Sequence, residues 1–292
     1  MSERFALFGH PVAHSLSPVI HHAAYDALGL PHRYELFDVP DEAALEGAVA
    51  ELRRGALRGA NVTIPWKRQA LALADRAERS ASDVGAANVL ARAADGAVVA
   101  HNTDVTALAE ELEALAARPD RGLVLGAGGA ALAAVAALAR LGTRDIGVSA
   151  RRFEAGTPEA GWPLGAELRR LGATLVPWAS PSAGAFHDFA AGAGVIVQAT
   201  SAGMHGAAPG SEIADVLPWE RFGSGTSVYD LVYNPRETEL VRRARARGLK
   251  ASDGLGMLIG QAALAFELWL GVAPPRAPMW RAAEAELARR GR

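Results

Sequence analysis

Apolar residues in the first hundred positions follow two rhythms, short alternating runs and longer stretches that return every three to four residues. Residues 5–8 read as a strand, and Ser17-Pro18 looks like an N-cap with proline in the first turn of a helix. That helix runs to about Leu28 and stops at Gly29. Residues 33–39 alternate as a strand, and Asp41 caps a helix to about Leu52. In GANVTIPWK, residues 59–67, Val62 and Ile64 alternate with Asn61 and Thr63, which predicts a strand with one face to the core and one to a cleft. Pro65 cannot continue a ladder, and the run 67–79 has helical spacing, so Lys67 sits near a helix N-terminus. Residues 88–92 and 97–101 flank Asp95-Gly96, a hairpin signal.

A helix from near Asp104 to just before Pro119 leads into a second unit. Residues 121–125 read as a buried strand, the glycines after it as a turn, and 130–141 as a helix ended by Gly142. Residues 145–150 complete a βαβ pattern, and 153–165 read as loop. Weaker strand signals follow at 174–178, 195–200 and 227–232, with a loop over 205–218. Helices over 255–270 and 278–290 close the chain. The fold class expected is α/β.

Composition removes several classes of function. Half of the 292 residues are hydrophobic and the net charge is −2, against a nucleic-acid groove or a basic membrane-binding surface. The absence of cysteine excludes disulfides, thiolate catalysis and cysteine-based zinc sites. Eight scattered histidines show no metal spacing, and His21-His22 reads as part of a half-exposed helix face. The uncharged stretch 122–139 reaches the length of a spanning helix, but its glycines favour a strand, a turn and a buried helix. No signal peptide is evident in the opening MSERFALFGHPVAHS, so a cytoplasmic protein is expected. Monomer and homodimer are both compatible with the chain.

Two stretches carry candidate chemistry. Strand, then GAGGAA over 126–131, then helix is the context of a dinucleotide fingerprint. Gly126 permits the turn, Gly128 lets backbone approach a pyrophosphate, Ala131 takes the close-packing position, and the helix N-terminus faces the phosphates. At the end of the next strand, Ser149-Ala150-Arg151-Arg152 offers guanidiniums for a 2′-phosphate and no evident acceptor for a free hydroxyl, which favours NADP. The arginines are otherwise solvated surface charge, and Glu154 nearby leaves NAD open. Lys67 is the other candidate: a helix dipole disfavours its ammonium, which suits an acid–base role, while a surface lysine is the plain alternative. Asp104, at another helix N-terminus, is either a helix cap or the partner that orients the Lys67 amine for proton transfer. Ser15 and Ser17 add hydroxyls suited to a carboxylate, with capping sufficient to explain Ser17. Asn88 and Gln261 are lone amides that structure alone explains.

Taken together, GHPVAHSLSP, GANVTIPWK, NTD, GAGGAA, QATSAGM, YDLVYNP and DGLGMLIGQ resemble the shikimate dehydrogenase family over nearly the whole chain. The resemblance implies an N-terminal α/β substrate-binding domain, 1–104 completed by 253–292, and a Rossmann-type NADP-binding domain over 105–252, with a cleft between them. It implies reversible NADPH-dependent reduction of 3-dehydroshikimate to shikimate, with Lys67 and Asp104 catalytic. Ser15, Ser17, Asn61, Thr63, Asn88, Tyr233 and Gln261 would bind substrate. Gly126, Ala127, Gly128, Gly129, Ala130, Ala150, Arg151, Arg152, Thr200, Leu231 and Gly254 would bind cofactor. Ala150-Arg151-Arg152 stands where the family has Asn-Arg-Thr, and Val89 and Val105 replace a usual threonine and glycine. A quinate or aminoshikimate dehydrogenase with relaxed cofactor choice, and a non-catalytic dinucleotide or shikimate sensor, are the competing expectations.

Overall fold

The computed structural model describes residues 2–115, 119–153, 162, 164–178 and 184–290. They divide into two compact units, Met1–Asp104 with Leu258–Arg292, and Val105–Met257. Most of the expected 153–165 loop lies outside the described residues.

The first unit is built from β1 (Arg4–Gly9), α1 (Ser17–Ala27), β2 (Arg33–Asp38), α2 (Glu42–Arg54), β3 (Gly59–Val62), α3 (Lys67–Leu73), β4 (Arg76–Ala77), α4 (Arg79–Ser82), β5 (Val89–Arg92) and β6 (Val98–His101). Its strands form one mixed sheet, ordered β2-β1-β3-β5-β6-β4. β1 pairs parallel with β2 and β3, whereas β5 runs antiparallel to both β3 and β6. Alternation in β1 sends Ala6 and Phe8 into a core with Val49, Leu52, Trp66 and Leu90. Phe5 stacks on Trp269 instead, at 4.9 Å between ring centroids. Asp41 caps α2 as the sequence suggests, accepting from Ala44 N–H at 2.8 Å.

The structure corrects four local expectations here. The helix from Lys67 ends at Leu73 rather than near Arg79, because Asp75 N–H bonds to Val98 and β4 joins β6. Tertiary pairing overrides helical periodicity there. Ile64 lies outside β3 and is 64% exposed, while Asn61 and Val62 are both buried, so this central strand has no open face. Leu16, not Ser17, precedes α1, and it is the Ser15 hydroxyl that accepts from Ser17 N–H, at 3.1 Å. His21 is fully buried rather than half exposed.

The second unit runs through α5 (Asp104–Leu115, whose first residue belongs to the first unit), β7 (Arg121–Leu125), α6 (Gly129–Arg140), β8 (Asp145–Ser149), α7 (Gly165–Arg170), β9 (Ala173–Leu175), α8 (Gly184–Ala191), β10 (Val195–Gln198), α9 (Ser211–Ala214), β11 (Ser227–Asp230), α10 (Glu239–Ala246) and β12 (Lys250–Ser252). All six strands are parallel, ordered β9-β8-β7-β10-β11-β12. Counted from β7 this is 3-2-1-4-5-6, the doubly wound order, whose direction of winding reverses between β7 and β10. Ligands of such sheets bind beyond the strand C-termini at that reversal. The expected 205–218 loop contains α9, and α7, α8, α10 and β12 are additional to the elements expected from sequence.

Two helices follow, α11 (Leu255–Leu270) and α12 (Arg276–Arg290), and from Leu258 onward the chain is back in the first unit. Among the described residues no helix is long and apolar enough to cross a membrane. The uncharged stretch 122–139 resolves into β7, the glycine turn and α6.

Candidate active site

In the first unit the sequence around Lys67 is fixed by backbone before its side chain is considered. Thr63 carbonyl accepts from Trp66 N–H, and the Lys67 carbonyl accepts from Ala87 N–H at 2.8 Å. The Trp66 indole anchors the turn by donating to the Val39 carbonyl at 2.7 Å. Lys67 is thus the first residue of α3, pinned between two loops. Its Nζ lies 2.6 Å from Asp104 Oδ2, with side chains 17% and 6% exposed. A charge pair this dry loses little to screening, and each partner suffers if the other is removed.

A chain of amides leads away from the pair. Asn88 Nδ2 donates to Asp104 Oδ1 at 2.8 Å and to Thr103 Oγ1 at 2.9 Å, while its Oδ1 accepts from Thr103 N–H at 2.7 Å. Gln261 Oε1 stands 3.3 Å from Asn88 Nδ2 and 3.5 Å from Asn61 Nδ2. Asn61 also accepts from the Tyr34 hydroxyl at 2.7 Å. The structure therefore gathers Asn61, Lys67, Asn88, Asp104 and Gln261 into one connected network, although the outermost two are 200 positions apart. Thr63 is half-buried at the end of β3, and its backbone N–H bonds to Phe8. Ser15 and Ser17 form a separate hydroxyl pair, 3.1 Å apart, at the start of α1. Tyr233 belongs to the other unit, half-buried in the segment after β11.

Three members of this neighbourhood escape sequence reasoning. Thr103, through its hydroxyl, donates to the Gln261 carbonyl at 3.1 Å and ties α11 to the start of α5. Tyr34, in β2, is 3% exposed, and burial lifts its phenol well above the ordinary value, so it remains a neutral donor to Asn61. His21 stacks on the Tyr34 ring at 4.2 Å between centroids, and neither of its ring nitrogens meets a hydrogen-bond partner among the described residues. Burial pushes it down to about 3, a fall that the neighbouring Asn61 amide offsets only in part.

That histidine sets an acid limit. Its folded value lies below its unfolded one, so the stability it contributes is complete above about pH 6.5 and is lost as pH falls toward 3. The loss should reach roughly 3 kcal/mol by pH 4. His21→Phe keeps a ring in the stack and removes the titration. Chemical denaturation of both proteins between pH 7 and 4 should show the flatter slope in the variant; equal slopes would assign the acid lability to another group.

The second unit holds the glycine turn. Gly126 has φ +126°, and a Cβ on it would stand 2.9 Å from the Ala199 carbonyl oxygen, so β7 and β10 meet there with no room for a side chain. Gly128 caps α6 and faces open space, and Gly129 opens the helix. The N–H groups of Gly129 and Ala130 have no carbonyl within the helix to bond, the usual condition of a first turn and a ready anion site. A cavity at this end of the sheet is lined by Gly126, Ala127, Ala150, Arg151, Arg152, Trp178, Thr200 and Ile213. It holds cationic and backbone donors together at the winding reversal, which fits a phosphorylated nucleotide. The Arg151 guanidinium is paired with the Glu212 carboxylate.

Not every residue near the turn faces this cavity. Thr200 contributes to its lining while its hydroxyl accepts from Ala202 N–H at 3.1 Å. Gln198 is buried and spends its amide on local backbone, donating to Ala202. Leu231 and Gly254 lie against each other: a Cβ on Gly254 would lie 2.1 Å from the Leu231 carbonyl oxygen. Their closeness is a packing requirement.

The chain is similar to known proteins over nearly its whole length. The profile described as "Shikimate dehydrogenase substrate binding domain" matches residues 7–90, and "Shikimate 5'-dehydrogenase C-terminal domain" matches 254–284. A shikimate dehydrogenase (NADP(+)) of Methylobacterium radiotolerans is 41% identical over 288 residues, 95% of each chain. The chain belongs to the shikimate dehydrogenase family. Within that family, the crystal structure of the Thermus thermophilus shikimate 5-dehydrogenase in complex with NADP(H) and shikimate has a TM-score of 0.80 and 39% identity, covering 97% of this chain and 99% of that one. A quinate dehydrogenase from Corynebacterium glutamicum in complex with NAD has a TM-score of 0.81 at 29% identity, covering 97% of this chain and 99% of that one. The Methylobacterium and Thermus proteins are thus nearer in sequence than this quinate dehydrogenase, and the shared fold alone does not choose the ring or the cofactor.

Proposed function

We propose that this chain is a shikimate dehydrogenase, which reversibly reduces 3-dehydroshikimate to shikimate with NADPH and serves chorismate and aromatic amino acid biosynthesis. The observation that carries the reading is the dry Lys67–Asp104 pair, linked through Asn88 to the amides of Gln261 and Asn61. A ring bearing several hydroxyls needs donors and acceptors set at fixed angles, and buried amides supply both on one group. Such a site rejects an analogue that lacks a hydroxyl, because an amide is then left unpaired. Ser15 and Ser17 supply hydroxyls for the ring carboxylate, and Thr63 adds a further hydroxyl from the end of β3.

When bound, the dinucleotide supplies the hydride that reduces the ring carbonyl. Lys67 Nζ supplies the proton that the new alkoxide oxygen needs, and in the reverse direction takes the hydroxyl proton. Asp104 holds that nitrogen in place and offsets its charge, and Asn88 holds Asp104 by its second oxygen. Gly126, Ala127, Gly128, Gly129 and Ala130 bring backbone donors to the pyrophosphate, Thr200 lines the same cavity, and Ala150, Arg151 and Arg152 form the 2′-phosphate end.

Initial rates with shikimate and with quinate, each with NADP and with NAD, test the reading. The shikimate–NADP pair should have the largest kcat/KM. Faster turnover of quinate would move the chain to the quinate-type members of the family. Background rates in all four assays, with measurable ligand binding, would instead mark a sensor.

A further inference from the structure

We infer that Glu212 is a specificity-determining residue for the cofactor: it competes with the 2′-phosphate of NADP for Arg151 and offers an acceptor to the 2′-hydroxyl of NAD. The inference rests on the reading that the cavity beside Gly126 receives the adenosine end of the dinucleotide. Arg151 lines that cavity, and so does Ile213, the residue after Glu212 in α9. The Glu212 carboxylate is paired with Nη1 of Arg151, the position in which a phosphate oxygen would serve the same guanidinium. For NADP to engage Arg151 fully, this carboxylate has to yield to a group carrying more negative charge. NAD presents a hydroxyl at the same point, which needs an acceptor rather than a cation.

The end of β8 lacks such an acceptor, since Ser149-Ala150-Arg151-Arg152 offers none with a carboxylate. Dinucleotide sites that take NAD usually have one there, on the ribose hydroxyls. Glu212 reaches the neighbourhood from a different element, after β10 rather than after β8. The same pair thus presents a cation to one cofactor and an anion to the other. Both side chains are substantially exposed, at 57% and 39%, so the pair adds little to folding and its removal leaves the fold intact.

The test is steady-state kinetics of Glu212→Gln with shikimate and either NADP or NAD. The ratio of kcat/KM for NADP to that for NAD should rise about tenfold, from about threefold gains with NADP and about threefold losses with NAD. The gain with NADP should shrink as salt rises. A ratio that stays within twofold of the parent, or falls, overturns the role of Glu212. Arg151→Ala separates that failure from failure of the underlying reading. If it weakens NADP far more than NAD, the cavity does take the 2′-phosphate and only Glu212 is misassigned. If it affects both cofactors equally, the 2′-phosphate lies elsewhere and the inference falls with it.

Discussion

Lys67→Ala is expected to lower kcat for shikimate oxidation by about 10²–10⁴-fold, the usual worth of a positioned acid–base group. KM should move much less, because Asn61, Asn88, Gln261 and the two serines remain to hold the ring. An interaction made only while the proton moves appears in kcat and kcat/KM together. The variant also strands Asp104 in a buried position, where it keeps the bond from Asn88 Nδ2. Some loss of stability is therefore expected alongside, and a thermal melt separates it from the catalytic loss. Asp104→Asn completes the comparison by keeping the shape and removing the charge that orients the amine. Turnover near the parent rate in Lys67→Ala, in a folded protein, would remove the lysine from the mechanism.

The largest stability effect should come from Gly254→Ala. A Cβ there would stand 2.1 Å from the Leu231 carbonyl oxygen and 2.6 Å from its carbon, so backbone has to move. The same region is held by Gly254 N–H on the Val232 carbonyl and by Asp253, which accepts from Leu255 N–H and pairs with Arg236. Overpacking against a carbonyl with no soft neighbour costs about 3 kcal/mol. For a unit of this size that is a fall of roughly 6–12 °C in Tm. Differential scanning calorimetry reads it directly. A shift below about 2 °C would mean that the loop after β11 yields, and that the glycine is not there for packing. Gly128→Ala is the contrasting substitution, since a Cβ at Gly128 meets open space; its cost should fall on dinucleotide binding instead.

The parts of the molecule legible in the sequence are those whose physics is local. Gly126 is required by a backbone angle, Asp41 by an unpaired helix N–H, and the Asp95-Gly96 hairpin by its turn, so each announces itself within a few residues. The central strand β3 was harder. Its alternating pattern suggested a half-open strand, yet it lies between β1 and β5 with both faces covered, and no local signal reports how many neighbours a strand has. Helix α3 stopped early because β4 found a partner in β6, a contact formed far along the chain. Other elements do carry a local signal: Thr238 followed by Leu240, Val241 and Ala244 marks α10 with a cap and an apolar stripe.

The site divides in the same way. Lys67 and Asp104 each look ordinary alone, and the glycine turn is conspicuous. What sequence does not disclose is that Tyr34 stands behind Asn61, that His21 stands behind Tyr34, and that Glu212 faces Arg151. These are partners of partners. They lie on elements whose own patterns are satisfied by packing, so nothing in their spacing calls for a second explanation.

The first unit is discontinuous, and that has a consequence for how the protein is made. The Gln261 amide and the Trp269 indole that rests on Gly59 are synthesised only after the whole of the second unit. On the ribosome, the doubly wound sheet is complete in one uninterrupted stretch, while the polar network around Asn88 waits for the last helices to emerge. A chain that stalls or is clipped before Leu258 would therefore carry Lys67 and Asp104 without Gln261. Premature products would hold the doubly wound sheet intact and leave the polar network of the first unit unfinished.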